Sequence, residues 1–172
     1  MDFLTDKVTA QLMISLVLSK MDYCNSLLTG LPDNQINKLQ RVQNCAAKVC
    51  FRKRKYDHAT PLLKSLHWLP VKERIDYKIA TLCYKTFTNS APKYICDLLE
   101  TPKRLRELRS SKDYTLLKIP SSNLKTYGER SFSFYGPSLW NTLPREIREA
   151  ETLYSFKRYL KHYLFLRAFD PA

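Results

Sequence analysis

Four consecutive cations followed by a tyrosine, Arg52-Lys53-Arg54-Lys55-Tyr56, are the residues whose types and spacing point most directly to chemistry, and that chemistry is phosphate binding. Lysine and arginine gain affinity for a polyanion by releasing its condensed counterions, a term that needs no base recognition. The tyrosine beside them offers a ring on which a base can stack. A second basic island scatters Lys103, Arg104, Arg106, Arg109, Lys112, Lys118, Lys125 and Arg130 through a stretch rich in Ser, Thr and Pro. Residues 31–60 and 101–130 each sum to +5, residues 1–30 to −1, and residues 61–100 and 131–172 to +2 each, within an overall charge of +13. The expected phosphate contacts are therefore Arg52, Lys53, Arg54, Lys55, Arg104, Arg106, Arg109, Lys112, Lys125 and Arg130, with Tyr56 as the stacking platform. A solvated basic face without a partner has the same charge distribution.

Other chemistries find less to work with. Three glycines stand far apart, at Gly30, Gly128 and Gly136, so the clustered backbone amides of a phosphate-cradling loop cannot be built. Zinc asks for four soft or imidazole ligands, and the nearest pair is Cys45 and Cys50. On a helix their spacing turns them about 140° apart, so they do not readily share one ion and are expected to be small core thiols. In Tyr56-Asp57-His58 a carboxylate lies beside an imidazole, but no nucleophile is linked to the pair in sequence. His58 is expected to brace the turn into Thr60-Pro61 instead. Two-metal nucleotidyl transfer needs clustered carboxylates, and the chain has no adjacent Asp pair. No catalytic residue, metal ligand or cofactor is expected.

The elements that must hold these residues follow from the apolar pattern. An apolar fraction of 44% in 172 residues is enough for a packed core in one domain or two small ones. Asp6 to Leu28 suits one or two helices broken near Lys20 to Asp22, and Gly30-Leu31-Pro32 ends that element. The apolar run Leu12 to Leu18 is too short for a membrane span, and acidic Asp2 and Asp6 do not suit a secretory signal. Ile36, Leu39, Val42, Ala46 and Val49 recur at helical steps after Asp33 and predict one buried stripe, with Lys38, Arg41 and Lys48 toward solvent. Thr60-Pro61 opens a short helix through Leu66, and a longer one runs from about Val71 to Phe87. Another short helix follows Ala91-Pro92. Thr115 to Ile119 is compatible with a short strand inside a mobile connector spanning residues 101–126. An aromatic cluster, Phe132, Phe134, Tyr135 and Trp140, precedes a last helix from near Thr152, whose buried stripe is Leu153, Phe156, Leu160, Tyr163 and Leu164; His162 lies on its basic face. The fold class expected is mainly α: a helical part over residues 1–100, the connector over 101–126, and an aromatic and helical segment over 127–172.

Several segments in order carry a resemblance. They begin with Met21-Asp22-Tyr23-Cys24-Asn25-Ser26-Leu27-Leu28, Gly30-Leu31-Pro32 and Lys38-Leu39-Gln40-Arg41-Val42-Gln43-Asn44. Lys55-Tyr56-Asp57-His58, Leu66-His67-Trp68-Leu69-Pro70-Val71, Ala91-Pro92-Lys93-Tyr94-Ile95 and Leu108-Arg109-Ser110-Ser111 follow. Lys125-Thr126-Tyr127-Gly128-Glu129-Arg130, Pro137-Ser138-Leu139-Trp140-Asn141-Thr142-Leu143-Pro144 and Ser155-Phe156-Lys157 complete the set. From about Leu12 to Phe165 the chain resembles the region after the reverse-transcriptase domain in LINE-type non-LTR retrotransposon proteins of the jockey and chicken-repeat groups. That resemblance implies parent proteins that make cDNA from element RNA at a nicked chromosomal target, with endonuclease and polymerase upstream of Met1. The present chain then corresponds to the end of the thumb or its following linker helices plus the C-terminal segment, and its implied role is to hold template RNA or target DNA. The Cys/His knuckle of other LINE groups has no counterpart here.

Together these readings predict a truncated, non-catalytic accessory region that binds RNA or DNA backbone, with upstream reverse-transcriptase domains as a further partner. A reduced, intracellular setting, nuclear or cytoplasmic, without membrane contact, suits five cysteines that form no C-x-x-C pair. The alternatives are an inert remnant of a degenerate element and a protein–protein interaction module. In the former, Leu12, Leu16 and Leu18 on the first helix would form an exposed apolar patch and drive self-association through residues 12–18.

Overall fold

Helical periodicity and a shortage of glycine shape the backbone together. The computed structural model describes residues 4–100, 115–122, 124 and 126–170. The fold is mainly α, with no strand among the described residues. It divides into two compact units, Met1–Ile75 with Tyr163–Ala172, and Asp76–His162.

In the first unit Thr5 caps α1 (Asp6–Met13), its hydroxyl accepting from the Val8 amide at 3.4 Å. A π-helical segment (Ile14–Leu18) carries the chain directly into α2 (Ser19–Asp22), and a 3-10 turn spans Asn25–Leu28. The break falls at Tyr23 and Cys24, the latter with φ 51°, just beyond the expected position. After Gly30-Leu31-Pro32 come α3 (Asp33–Cys50) and α4 (Thr60–Ser65), with Pro61 in the first turn of α4. Leu18, Ala46, Ala47, Cys50, Leu63 and Trp68 form the core, with Met13, Val17, Phe51 and Phe169 packed against it.

The buried face of α3 is rotated from the expected stripe. Val42 and Val49 are about half exposed, at 47% and 52%, whereas Gln43, Ala46, Ala47 and Cys50 are buried. Small alanines let the π-helical segment approach α3 closely, and Gln43 can be buried because its amide is satisfied. It donates to the Leu69 carbonyl at 2.8 Å and accepts from Gln40 Nε2 at 3.0 Å. Gln40 Oε1 in turn accepts from the Val71 amide at 2.9 Å, capping the next helix, α5 (Val71–Phe87). Leu18 is likewise buried, at 2% exposure, and does not belong to an exposed patch with Leu12 and Leu16.

The second unit takes α5 from Asp76 onward, then α6 (Lys93–Cys96), α7 (Phe132–Thr142), α8 (Arg145–Arg148) and the start of α9 (Leu153–Phe169). Its centre is Trp140, fully buried, with the Phe156 ring centroid at 5.8 Å and that of Phe87 at 6.0 Å. Phe156 stacks at 4.3 Å on Tyr84, whose hydroxyl donates to the Ala150 carbonyl at 2.8 Å.

Residues 115–119 form no strand and are not a free connector, because α7 takes their hydrogen bonds. Trp140 Nε1 donates to the Thr115 carbonyl at 2.6 Å. The Asn141 amide accepts from the Leu117 N–H at 3.0 Å and donates to its carbonyl at 2.9 Å, supplying both bonds that a neighbouring strand would have made. Thr115 and Leu117 are buried accordingly.

Gly136 lies where α7 meets Cys83 of α5. A Cβ there would sit 3.1 Å from Cys83 Sγ and 3.4 Å from the Phe132 ring. Gly136→Val forces both to move and is expected to destabilise the protein by about 1–3 kcal/mol, read as a lower urea midpoint at unchanged m-value.

Candidate nucleic-acid interface

The basic island Arg52 to Lys55 is the loop that leaves α3, and its backbone is fixed by how that helix ends. Arg52 takes the left-handed conformation, φ 51°, a position usually given to glycine. Its amide donates to the Val49 carbonyl at 3.2 Å and the Lys53 amide to the Lys48 carbonyl at 2.9 Å, the paired bonds of a Schellman motif. His67 and Asn89 end α4 and α5 in the same way, with φ 51° and 52°. In a chain with so few glycines, ordinary residues carry the strain of helix termination.

Beyond the motif, the Asp57 carboxylate accepts from the Arg54 amide at 2.7 Å while the Asp57 amide donates to the Arg54 carbonyl at 3.1 Å. Lys48 Nζ donates to the Lys55 carbonyl at 2.6 Å, and Arg52 Nη2 to the Leu4 carbonyl at 2.6 Å. Asp57 and Lys48 therefore order the loop, and the exposed His58 side chain makes no hydrogen bond among the described residues.

Residues 52–58 are all exposed. Among the described residues, the side chains of Lys53 and Arg54 have no hydrogen-bond or ion-pair partner. Lys55 Nζ lies 5.9 Å from the centroid of the Tyr56 ring, which is 89% exposed. A fixed backbone presenting adjacent cations and an open aromatic face can hold phosphates and stack a base.

The second island divides differently. Arg104, Arg106, Arg109, Lys112 and Lys125 lie outside the described residues. Lys118 pairs with Glu100 at 2.8 Å, and Arg130 is partly buried and already engaged within the chain. Arg148, absent from the expected contacts, is a buried structural cation, donating from Nη1 to Thr115 Oγ1 at 2.8 Å and from Nε to the Leu143 carbonyl at 3.1 Å.

The cysteines differ in environment. Cys24 and Cys45 are exposed and Cys50 and Cys83 buried. Burial pushes the Cys83 thiol up to about 12 and raises that of Cys50. Among the described residues no group of three or more His, Cys, Asp or Glu side chains could hold a common metal ion. Ellman's reagent is expected to label Cys24 and Cys45 fast in the native protein and Cys50 and Cys83 only on unfolding; five thiols reacting at one rate would contradict this burial. The raised Cys83 value also sets a sign for pH. Below about pH 9 its stabilising effect is complete, and it is lost as pH rises toward about 12, because the unfolded thiol ionises first.

No helix among the described residues is long and apolar enough to cross a membrane. Comparison of the chain with family models, curated proteins and solved structures gives no match.

Proposed function

We propose that this chain is a non-catalytic accessory region of a non-LTR retrotransposon reverse transcriptase that grips the backbone of RNA or DNA. The observation that carries the reading is the loop from Arg52 to Tyr56: exposed cations and a tyrosine on a backbone fixed by the end of α3. Its partner is a polyanion, and the open Tyr56 ring favours a strand whose bases are free to stack. The ordered motifs from Met21 to Lys157 supply the origin, and the upstream polymerase domains are its further partner. The test is fluorescence anisotropy with labelled single-stranded RNA, single-stranded DNA and duplex DNA at low salt. Binding to a single strand in the micromolar range supports the reading, and no binding to any of the three overturns it.

A second reading, a remnant or protein-docking piece that self-associates, draws on α1 and the residues on either side of it. Leu4, Val8, Leu12 and Leu16 are 38–59% exposed and recur every four residues. On that reading, sedimentation velocity detects a dimer that L12E/L16E converts to monomer, whereas a clean wild-type monomer removes it.

A further inference from the structure

A second cationic surface lies on α9. Its sequence from Leu153 to Phe169 contains Lys157, Arg158, Lys161 and Arg167 and no carboxylate. A charge count over residues 131–172 hides this, because Glu146, Glu149, Glu151 and Asp170 offset the helix's cations. The helix starts cleanly: Thr152 Oγ1 accepts from the Ser155 amide at 3.1 Å. Phe156 and Leu160 are buried in the core, which fixes the opposite face outward.

On that outward face Tyr154, Lys157, Arg158, Lys161 and His162 share an arc of about 140° at helical periodicity. Tyr154 is 77% exposed, Arg158, Lys161 and His162 are exposed, and Lys157 is partly so. Among the described residues, Lys157, Arg158, Lys161 and His162 have no side-chain hydrogen-bond or ion-pair partner. The Glu149 carboxylate, which precedes the helix in sequence, is occupied by Arg145 at 2.7 Å. Glu151 precedes the helix, at the end where a negative charge complements the dipole.

From these placements we infer that the outward face of α9 is a second binding site for single-stranded nucleic acid, separate in sequence from the Arg52–Lys55 loop. The face is about 12 Å long from Tyr154 to His162, at 1.5 Å per residue, long enough to lie along about three phosphates of a single strand. Lys157, Arg158 and Lys161 contact those phosphates, and the Tyr154 ring stacks on an unpaired base. An anionic membrane is disfavoured, because a helix lying in a lipid interface inserts its apolar stripe, and here Phe156 and Leu160 are inside the protein.

The inference rests on the proposed nucleic-acid-binding role, and the experiment separates the two. Binding of labelled oligouridine is measured across a salt series for wild type, for R52S/K53S/R54S/K55S and for K157S/R158S/K161S, each checked for helicity by circular dichroism. The α9 variant is expected to bind at least tenfold more weakly and to lose about 2 from the slope of log affinity against log salt, at about 0.7 per phosphate contact. A wild-type measurement supports it without any variant: oligouridine should shield Lys157 and Lys161 from acetylation, and phosphatidylserine vesicles should not. If the loop variant weakens binding while the α9 variant keeps its slope and the lysines stay unshielded, the α9 site is overturned and the loop reading survives. Shielding by vesicles alone also overturns it, and absence of wild-type binding overturns both.

Discussion

Replacing Arg52, Lys53, Arg54 and Lys55 together by serine is expected to weaken binding to single-stranded RNA by about 600-fold at 0.1 M salt and to lower the salt slope by about 3. The size follows from counting: four phosphate contacts at about 0.7 each account for the slope, and the same exponent sets the affinity lost at that salt concentration. The fold should survive, because among the described residues the side chains of Lys53 and Arg54 hold nothing else, and the turn depends on backbone groups, Asp57 and Lys48. Arg52 is the exception, since its guanidinium also donates to the Leu4 carbonyl. A K53S/R54S double variant therefore isolates the phosphate contribution, with about half the change in slope. Unchanged affinity in both variants would remove the loop from the interface.

Trp140→Ala is expected to remove about 3–5 kcal/mol of stability, a large part of the 5–15 kcal/mol that a domain has. The ring is fully buried, packs on Phe156 and Phe87, and donates to the Thr115 carbonyl. Removing it leaves both a cavity and a carbonyl without its donor. Trp140→Phe separates the two effects: it keeps most of the packing and loses the N–H, so its cost should be nearer 1–3 kcal/mol. Urea unfolding of the three proteins gives the comparison. Equal costs for the two substitutions would mean that the hydrogen bond, rather than the ring, is what matters at Trp140.

Helices with an unambiguous apolar period were legible in the sequence. The bounds of α5, the start of α4 at Thr60-Pro61 and the buried Phe156 and Leu160 of α9 all follow from spacing and capping signals. What was not legible depends on contacts distant in sequence. The aromatic cluster carries no clear helical period, yet α7 runs through Gly136-Pro137, where Gly136 lies against Cys83. The face of α3 turned because Gln43 found the Leu69 carbonyl, 26 residues away. Thr115 to Ile119 reads as a strand or linker, and the side chains of Trp140 and Asn141 replaced a strand partner. The grouping of Tyr163–Ala172 with Met1–Ile75 has no periodic signature at all.

The candidate site was legible in part for the same reason. A run such as Arg52 to Lys55 is visible as charge alone, whereas its rigidity comes from bonds to Lys48, Val49 and Asp57. The α9 cations are diluted in any charge count by flanking glutamates, although the apolar spacing that buries Phe156 and Leu160 already sets them on a basic face.

The central claim, that the chain holds a single-stranded polyanion through exposed cations, is tested most directly by the salt dependence of wild-type binding to single-stranded RNA. The account predicts that log affinity falls linearly with log salt, with a slope of about −3 or steeper, as four or more phosphate contacts require. A slope near zero, or no binding at low salt, would contradict it.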